Sequence, residues 1–305
     1  MSVSPTAAEW IAVDWGTTNL RAWAMTGDRA IAAAAKPLGM GGLKPDEFEP
    51  ALLGTIGGWL AGGRTLPVVA CGMVGARQGW AEAAYVRVPS RPLDAGRFAR
   101  VATADPRIAV TIVHGMCQID PPDVMRGEET QLAGLLALEP GYSGAACLPG
   151  THTKWATLDR DRVAGFRTFM TGELFALLRE QSILRHSVGS ETEPDEGAFA
   201  DAVTEAAGAP AALAAWLFST RARGLVGTLR PAEALARISG LLIGMEVAAM
   251  RAAWIDRPLV LVGTPALCGR YALALTLLGA RTPAIVDAER CTLAGLSAAH
   301  RVLAG

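Results

Sequence analysis

Asp14 stands just before a short polar turn, Gly16-Thr17-Thr18-Asn19, and that combination can act on phosphate groups. Gly16 lets the backbone come close to a ligand, while Thr17, Thr18 and Asn19 offer hydroxyl, amide and main-chain N–H donors. Asp14 brings a negative charge to the same place. That charge is useful when a Mg²⁺ ion lies between carboxylate and phosphate, and contact through water is expected because this ion keeps much of its hydration shell. An ordinary polar hairpin turn could carry the same residues, so the motif alone leaves both readings open. A second turn of the kind is Gly150-Thr151-His152-Thr153-Lys154. Its Lys154 is suited to touch a phosphate or to lie on the hairpin surface. His152 belongs to no triad or metal pattern. Gly263, Thr264 and Pro265 sit between an apolar run and a helical segment, where a helix N-terminus can meet a nucleotide. Met73, Val74, Gly75 and Arg77 lie in a glycine-rich stretch, Gly72 to Trp80, which reads as a substrate loop or as a plain connection.

The elements that must position these residues follow from the apolar pattern. Ile11 to Trp15 and Leu20 to Trp23 flank the first turn as a β-hairpin. Pro67–Cys71 and Ile108–Val113 are short apolar runs that read as buried strands ending in loops, where α/β proteins usually place ligands. From Arg126 a helix is expected, with Glu128 and Glu129 in its first turn, favoured by the helix dipole, and Leu132, Leu135 and Leu136 at helical spacing. Ala145–Leu148 reads as a strand before the second turn, with further strands at 156–158 and 163–166. Strand, Gly-Thr turn and strand thus occur twice, with Trp23 and Trp155 closing the motifs, as in an internal duplication. Segment 187–210 reads as a surface loop with short helices. Pro231–Trp254 reads as one long helix whose Ser239, Gly240 and Gly244 offer small faces for close helix crossing. A strand at 258–262, a helix from Arg270 to Leu278, a strand at 284–286 and a small-residue helix from Cys291 to Leu303 complete the chain.

Bulk properties narrow the function. The 305 residues suffice for roughly two domains; 51% are apolar and 19% charged, a globular composition. Net charge is −1 and no basic block occurs, so neither nucleic acid nor a membrane surface is an expected partner. The five cysteines form no Cys-x-x-Cys or His/Cys cluster, so reduced thiols in a cytoplasmic protein are expected. No signal-peptide pattern opens the chain, and the apolar run 241–254 is too short to span a bilayer and carries Glu246 and Arg251.

The order of these parts resembles the sugar kinase/heat-shock protein 70/actin superfamily. Its phosphate-1 hairpin, first connecting helix, phosphate-2 hairpin, adenosine motif and second connecting helix would be 11–25, 127–138, 146–166, 259–278 and 291–303. More closely, Val13-Asp-Trp-Gly-Thr-Thr-Asn-Leu-Arg-Ala-Trp23, Gly72-Met-Val-Gly75, Val124-Met-Arg-Gly-Glu-Glu-Thr-Gln-Leu132, Pro149-Gly-Thr-His-Thr-Lys-Trp155, Phe166-Arg-Thr-Phe-Met-Thr-Gly-Glu-Leu174 and Gly240-Leu-Leu-Ile-Gly-Met-Glu-Val-Ala248 resemble the 2-dehydro-3-deoxygalactonokinase family.

The resemblance implies an α/β fold of two similar ribonuclease-H-like domains with a nucleotide cleft between them. Residues 1–138 with 291–305 would form one domain and 139–290 the other. It implies ATP-dependent phosphorylation of 2-dehydro-3-deoxy-D-galactonate at its 6-hydroxyl, in galactonate breakdown, with ATP and Mg²⁺ as cofactors. Gly16, Thr17, Thr18, Asn19, Gly150, Thr151, Thr153 and Lys154 would hold the phosphates, Asp14 the Mg²⁺, and Gly263, Thr264 and Pro265 the adenosine. The base would be a carboxylate at the start of the first connecting helix. Similarity to the Gly-x-Glu-Glu of exopolyphosphatases favours Glu129, whereas sugar kinases with Gly-Asp-Gln at this place point to Glu128. A keto-acid carboxylate suits an arginine fork, and Arg77, Arg126 and Arg167 are the candidates beside Met73, Val74 and Gly75. Glu173 fits a helix cap or a cleft role. A phosphohydrolase of the exopolyphosphatase type and a non-catalytic sugar or nucleotide sensor are the alternatives, and a homodimer is left open.

Overall fold

The run Trp10–Trp15 is apolar at every position but Asp14 because both of its faces are covered. Ile11, Val13 and Trp15 join one core with Val68, Ala70, Val110 and Ile112, while Trp10 and Ala12 join another with Val69, Cys71 and Leu296. Strands buried on both faces read as continuous apolar runs and not as alternations. The computed structural model describes residues 7–189 and 195–305. They form two units. The first comprises Met1–Tyr142, Leu158–Gly165 and Ala288–Gly305, and the second Ser143–Thr157 and Phe166–Asp287. The divisions expected after 138 and 290 thus stand at 142 and 287 here, and the segment 158–165 groups with the first unit.

In the first unit the chain runs β1 (Trp10–Trp15), β2 (Leu20–Thr26), β3 (Arg29–Lys36), α1 (Phe48–Ile56), β4 (Leu66–Cys71), β5 (Tyr85–Arg87), β6 (Ala99–Arg100), β7 (Ile108–Ile112), β8 (Gly115–Ile119), β9 (Pro122–Met125) and α2 (Glu128–Leu138). Six strands form a sheet in the order β3-β2-β1-β4-β7-β6, and β5-β8-β9 form a small second sheet. β1, β4 and β7 are parallel, and β2 is antiparallel to β1 and β3. The register sets Asp14 opposite Arg21.

The second unit runs β10 (Ser143–Leu148), β11 (Thr153–Asp159), β12 (Arg162–Phe169), α3 (Thr171–Glu180), α4 (Glu196–Gly208), α5 (Leu213–Val226), α6 (Pro231–Ala249), α7 (Arg251–Trp254), β13 (Leu259–Gly263), α8 (Pro265–Leu277) and β14 (Ala284–Asp287). Its sheet order, β12-β11-β10-β13-β14, repeats β3-β2-β1-β4-β7, again with the last three strands parallel. The duplicated motif is therefore a duplicated ribonuclease-H-like sheet. The last helix, α9 (Ala288–Ala304), packs against α2 in the first unit. Gly134 of α2 leaves no room for a Cβ beside the Cys291 carbonyl, and Gly295 of α9 none beside that of Thr130.

Several elements differ from expectation for local reasons. α2 begins at Glu128 and not at Arg126 because Gly127 has φ +105°, outside helical space. α8 begins five residues before Arg270, with Pro265 in its first turn, where a missing N–H costs nothing. The long helix expected to Trp254 breaks at Met250, where φ is −95° and ψ is 12°. Within 187–210, residues 190–194 lie outside the described residues, and 196–208 is one helix of 13 residues, α4, where a surface loop with short helices is expected. Asp195 caps it by accepting from the Ala198 N–H at 2.9 Å. Its Phe199 and Val203 meet Gly240 and Gly244 of α6, the close crossing that the small residues foretold. The five cysteines form no disulfide, and all but Cys117 are buried. Among the described residues no helix is long and apolar enough to cross a membrane.

Gly295→Ala should push α9 off α2, since its Cβ would meet backbone. A loss of about 1–3 kcal/mol in unfolding free energy, the usual cost of overpacking, is expected in urea titration. An unchanged midpoint would mean that the crossing can widen freely.

Candidate active site

The first turn is held from behind. Gly39 N–H donates to the Thr18 carbonyl at 2.9 Å, Met40 N–H to that of Gly16 at 3.0 Å and Gly41 N–H to that of Thr17 at 3.0 Å. A Cβ on Gly39 would fall on the backbone of Thr17 and Thr18. With these carbonyls engaged, Thr17, Thr18 and Asn19 keep exposed side chains. The second turn repeats the device. Gly172, next to the start of α3, sits against the Gly150 carbonyl, and Glu173 N–H donates to the Thr151 carbonyl at 2.9 Å.

Behind the first turn, three aromatic rings fasten the glycine-rich loop. Trp15 lies 5.4 Å from Phe48 and 6.0 Å from Trp80, and the Trp15 indole donates to the Leu38 carbonyl at 2.8 Å. The loop starts at Gly72, whose φ of +94° is open to glycine alone at low cost. A Cβ there would stand 2.8 Å from the Trp15 carbonyl and 3.4 Å from Asp14 Oδ1. A Cβ on Gly127 would stand 3.4 Å from Gly72 Cα. Asp14, the bare backbone of Gly72 and the first turn of α2 therefore converge. Asp14 is ion-paired with Arg21 across the hairpin. Burial pushes its carboxyl up, and Arg21 opposes that. Arg21 did not enter the sequence reading, although pairing around a four-residue turn puts it opposite Asp14.

The two glutamates part company. Glu129 is 0% exposed. Its Oε2 accepts from Gly127 N–H at 2.6 Å and its Oε1 from the Thr130 hydroxyl at 3.0 Å. Burial, with the Glu128 charge beside it, pushes its carboxyl up to about 8. Glu128 is only half-buried and accepts from Arg126 N–H at 3.1 Å.

The three candidate arginines are also separated. Arg77 and Arg167 are exposed. Arg126 is 8% exposed, lies over the Tyr85 ring at 4.4 Å and donates from Nη2 to the Ala83 carbonyl at 2.7 Å. Its Nε and Nη1 are buried with no hydrogen-bond partner, and Nη1 abuts Gly75. Val74 and Gly75 are buried and Met73 is half-buried.

In the second unit, Gly150 borders a cavity of about 120 Å³ whose walls include Phe175 of α3, Ser239 and Ile243 of α6, and Arg270 and Tyr271 of α8. From α8 the wall is Leu267, Arg270 and Tyr271, and it does not include Gly263, Thr264 or Pro265. Gly263 is buried against Cys268, while Thr264 and Pro265 are exposed. The sequence reading gave Phe175, Ser239 and Arg270 no place in a site because they come from three helices far apart in the chain. Thr151 is exposed, but Thr153, read as a phosphate ligand, is fully buried with its hydroxyl 2.9 Å from that of Tyr271. Lys154, read as a phosphate contact or a surface residue, is 4% exposed, with Nζ 3.4 Å from the His152 carbonyl. His152 is paired with Glu173.

A duplicated ribonuclease-H-like frame with a backed Gly-Thr turn in each half defines the sugar kinase/heat-shock protein 70/actin class. Within that class the chain belongs to the 2-keto-3-deoxy-galactonokinase family, whose model matches residues 14–299. A curated relative from Rhizobium meliloti (strain 1021), named probable 2-dehydro-3-deoxygalactonokinase DgoK1, is 41% identical over 98% of each chain. The 2-dehydro-3-deoxygalactonokinase of Escherichia coli (strain K12) is 36% identical over 97% of this chain and 99% of its own. A crystal structure from Sinorhizobium meliloti bearing the 2-dehydro-3-deoxygalactonokinase name superposes with a TM-score of 0.88 at 40% identity, covering 96% of this chain and 98% of that one. These names do not favour a hydrolase or a sensor.

Glu129 makes stability depend on pH. A carboxyl raised to about 8 binds its proton in the folded chain where an unfolded glutamate has lost it. Its stabilising contribution is full below the ordinary glutamate value and is lost as pH climbs to about 8. Glu129→Gln cannot ionise, so its melting temperature should gain on that of the wild type between pH 5 and pH 9. A constant difference across that range would mean that Glu129 titrates as an ordinary carboxyl.

Proposed function

We propose that this protein transfers the terminal phosphoryl group of ATP to the 6-hydroxyl of 2-dehydro-3-deoxy-D-galactonate, releasing ADP and 2-dehydro-3-deoxy-6-phospho-D-galactonate. Full-length similarity to relatives of that name carries the substrate class. The backed turns and the cavity support the phosphoryl chemistry. In this reading the exposed side chains of Thr17, Thr18 and Asn19 and of Thr151 hold phosphate oxygens, and the cavity beside Gly150 takes the adenine.

The 6-oxygen attacks the γ-phosphorus as the bond from that phosphorus to the bridging oxygen breaks, and the hydroxyl proton goes to a carboxylate. The geometry favours Glu128 for that proton. Its carboxylate is half-exposed, whereas Glu129 is sealed in, with both oxygens engaged and its proton retained at neutral pH. Glu129 serves by fixing the Gly127 bend that presents Glu128.

The residues fit a Mg²⁺ ion of the partly hydrated kind. Among the described residues no cluster of three or more acidic, His or Cys ligands could form a cage, which agrees with an ion held by one carboxylate, waters and phosphates. Asp14 would supply that carboxylate, and the missing Cβ of Gly72 leaves room beside its Oδ1, which also meets the Cys71 thiol at 4.0 Å. When bound, the ion would neutralise phosphate charge. Arg126 is the favoured partner for the substrate carboxylate, since it alone of the three arginines is buried with unused donors.

Incubation with ATP, Mg²⁺ and a panel of 2-keto-3-deoxy acids and hexoses, read by mass spectrometry, should give a phosphorylated keto acid. Release of inorganic phosphate without a sugar phosphate would overturn the kinase reading. Glu128→Gln should slow the single-turnover step by about 10²–10⁴-fold, the usual worth of a general base. If Glu129→Gln is slow and Glu128→Gln is not, the base is Glu129. Arg126→Met should raise the keto-acid KM about ten- to hundred-fold, as expected for a lost charge-assisted hydrogen bond. The same loss with Arg77→Ala instead would move the carboxylate site to the loop.

A further inference from the structure

Glu246 is a carboxylate in the middle of an otherwise apolar helix face, 0% exposed. It holds together three elements. The Trp155 indole of β11 donates to its Oε1 at 2.7 Å, the Tyr271 hydroxyl of α8 donates to its Oε2 at 2.9 Å, and the Thr171 hydroxyl at the start of α3 donates to Oε2 as well. The Tyr271 oxygen is also 2.9 Å from the Thr153 hydroxyl, which adds the foot of the second turn.

Each of these donors belongs to a part that must be in place before a nucleotide can bind. Thr171 and Tyr271 line the cavity beside Gly150. Thr171 precedes Gly172 and Glu173, the residues that back the second turn. Trp155 lies in the strand that leaves that turn. A buried carboxylate with three good donors orders its surroundings, while a partly satisfied one is costly. Neither the turn nor the cavity uses Glu246 directly.

We propose that Glu246 is the positioning residue of the nucleotide half-site. It sets the Gly150–Thr153 turn, the first turn of α3 and the α8 wall as one unit, so nucleotide affinity follows its ionisation. This rests on the reading of that half-site as the ATP site. The ionised form accepts from all three donors. The protonated form carries a hydrogen of its own, so one of the two hydroxyls at Oε2 must rotate to accept it, and the neutral acid holds the remaining donors more weakly than the carboxylate does.

The titratable groups facing Glu246 are Tyr271 on α8 and Cys147 on β10, both pushed up by burial and so neutral throughout the working range. Burial likewise pushes Glu246 up, to about 7, against the three hydrogen bonds that lower it. Affinity should therefore weaken as pH falls through about 7.

Calorimetric titration of the full chain with ADP from pH 5.5 to 9 tests this. Wild-type protein should bind about tenfold more tightly at the alkaline end, the change that about 1.4 kcal/mol of differential interaction would produce. Glu246→Gln should bind at the weak acid-side level throughout. The terminal phosphate of ADP titrates against both proteins alike, so the difference between their curves carries the result. Tyr271→Phe keeps the carboxylate but removes one donor to its ionised form, and the midpoint should move to higher pH. The keto-acid KM should not change in either variant. A Glu246→Gln protein with wild-type affinity and pH dependence would overturn the proposal. So would a Tyr271→Phe midpoint that stays put, which keeps the test open even if Glu246→Gln fails to fold. If the wild type binds no adenine nucleotide at any pH, the ATP-site reading fails instead.

Discussion

A peptide turn that is to hold an anion must point its N–H groups outward, and its carbonyls must then be satisfied from behind. The two polar turns of this protein meet the second half of that constraint. In the first turn, Gly39, Met40 and Gly41 bond to the carbonyls of Thr18, Gly16 and Thr17. In the second, Glu173 bonds to that of Thr151 while Gly172 closes on Gly150. The backing segment can come that close only where it lacks a side chain. It arrives there because a third antiparallel strand, β3 or β12, leads the chain back past the hairpin. Hairpin, third strand and backing glycine are thus one device, built twice.

The two copies have diverged around that device. The first unit surrounds its turn with carboxylates: Asp14 against Arg21, Glu128 half-exposed and Glu129 sealed. The second surrounds its turn with helices that enclose a cavity, and its buried carboxylate, Glu246, serves as an internal tie. Both buried glutamates are raised by burial, and both are kept by hydrogen bonds and not by cations. Removing a partner from such a group leaves an unsatisfied buried atom, whereas amide substitution keeps the shape.

Much of this was legible in the residues. Gly16-Thr-Thr-Asn19 reads as a polar turn because Gly and Asn suit turns, and the apolar runs around it read as strands. The repeat at Gly150 and the small faces of Gly240 and Gly244 were visible for the same reason. The backing of each turn was not, since it depends on where a third strand delivers the chain. Nor could the sequence say which of Glu128 and Glu129 is buried. Adjacent helical residues point about 100° apart, and the φ of Gly127 decides how the helix is rotated. Resemblance favoured Glu129, which is the buried one of the two. The full length of α4 was not legible because its core face is Phe199, Ala202, Val203 and Ala206, in which alanine dilutes the period. Glu246 did show as one charge in an apolar helix, but its three partners come from separate elements.

The return of α9 to the first unit has a consequence for biosynthesis. The sheet of that unit and its helix α2 leave the ribosome early, whereas the helix that covers Gly134 and Thr130 is made only after the whole second unit. The second unit's strands and helices have all been synthesised by then, so it can mature while the first still lacks a wall. During that interval the apolar back of α2 and one side of the sheet have no permanent cover, which makes the nascent chain a natural client for holding chaperones.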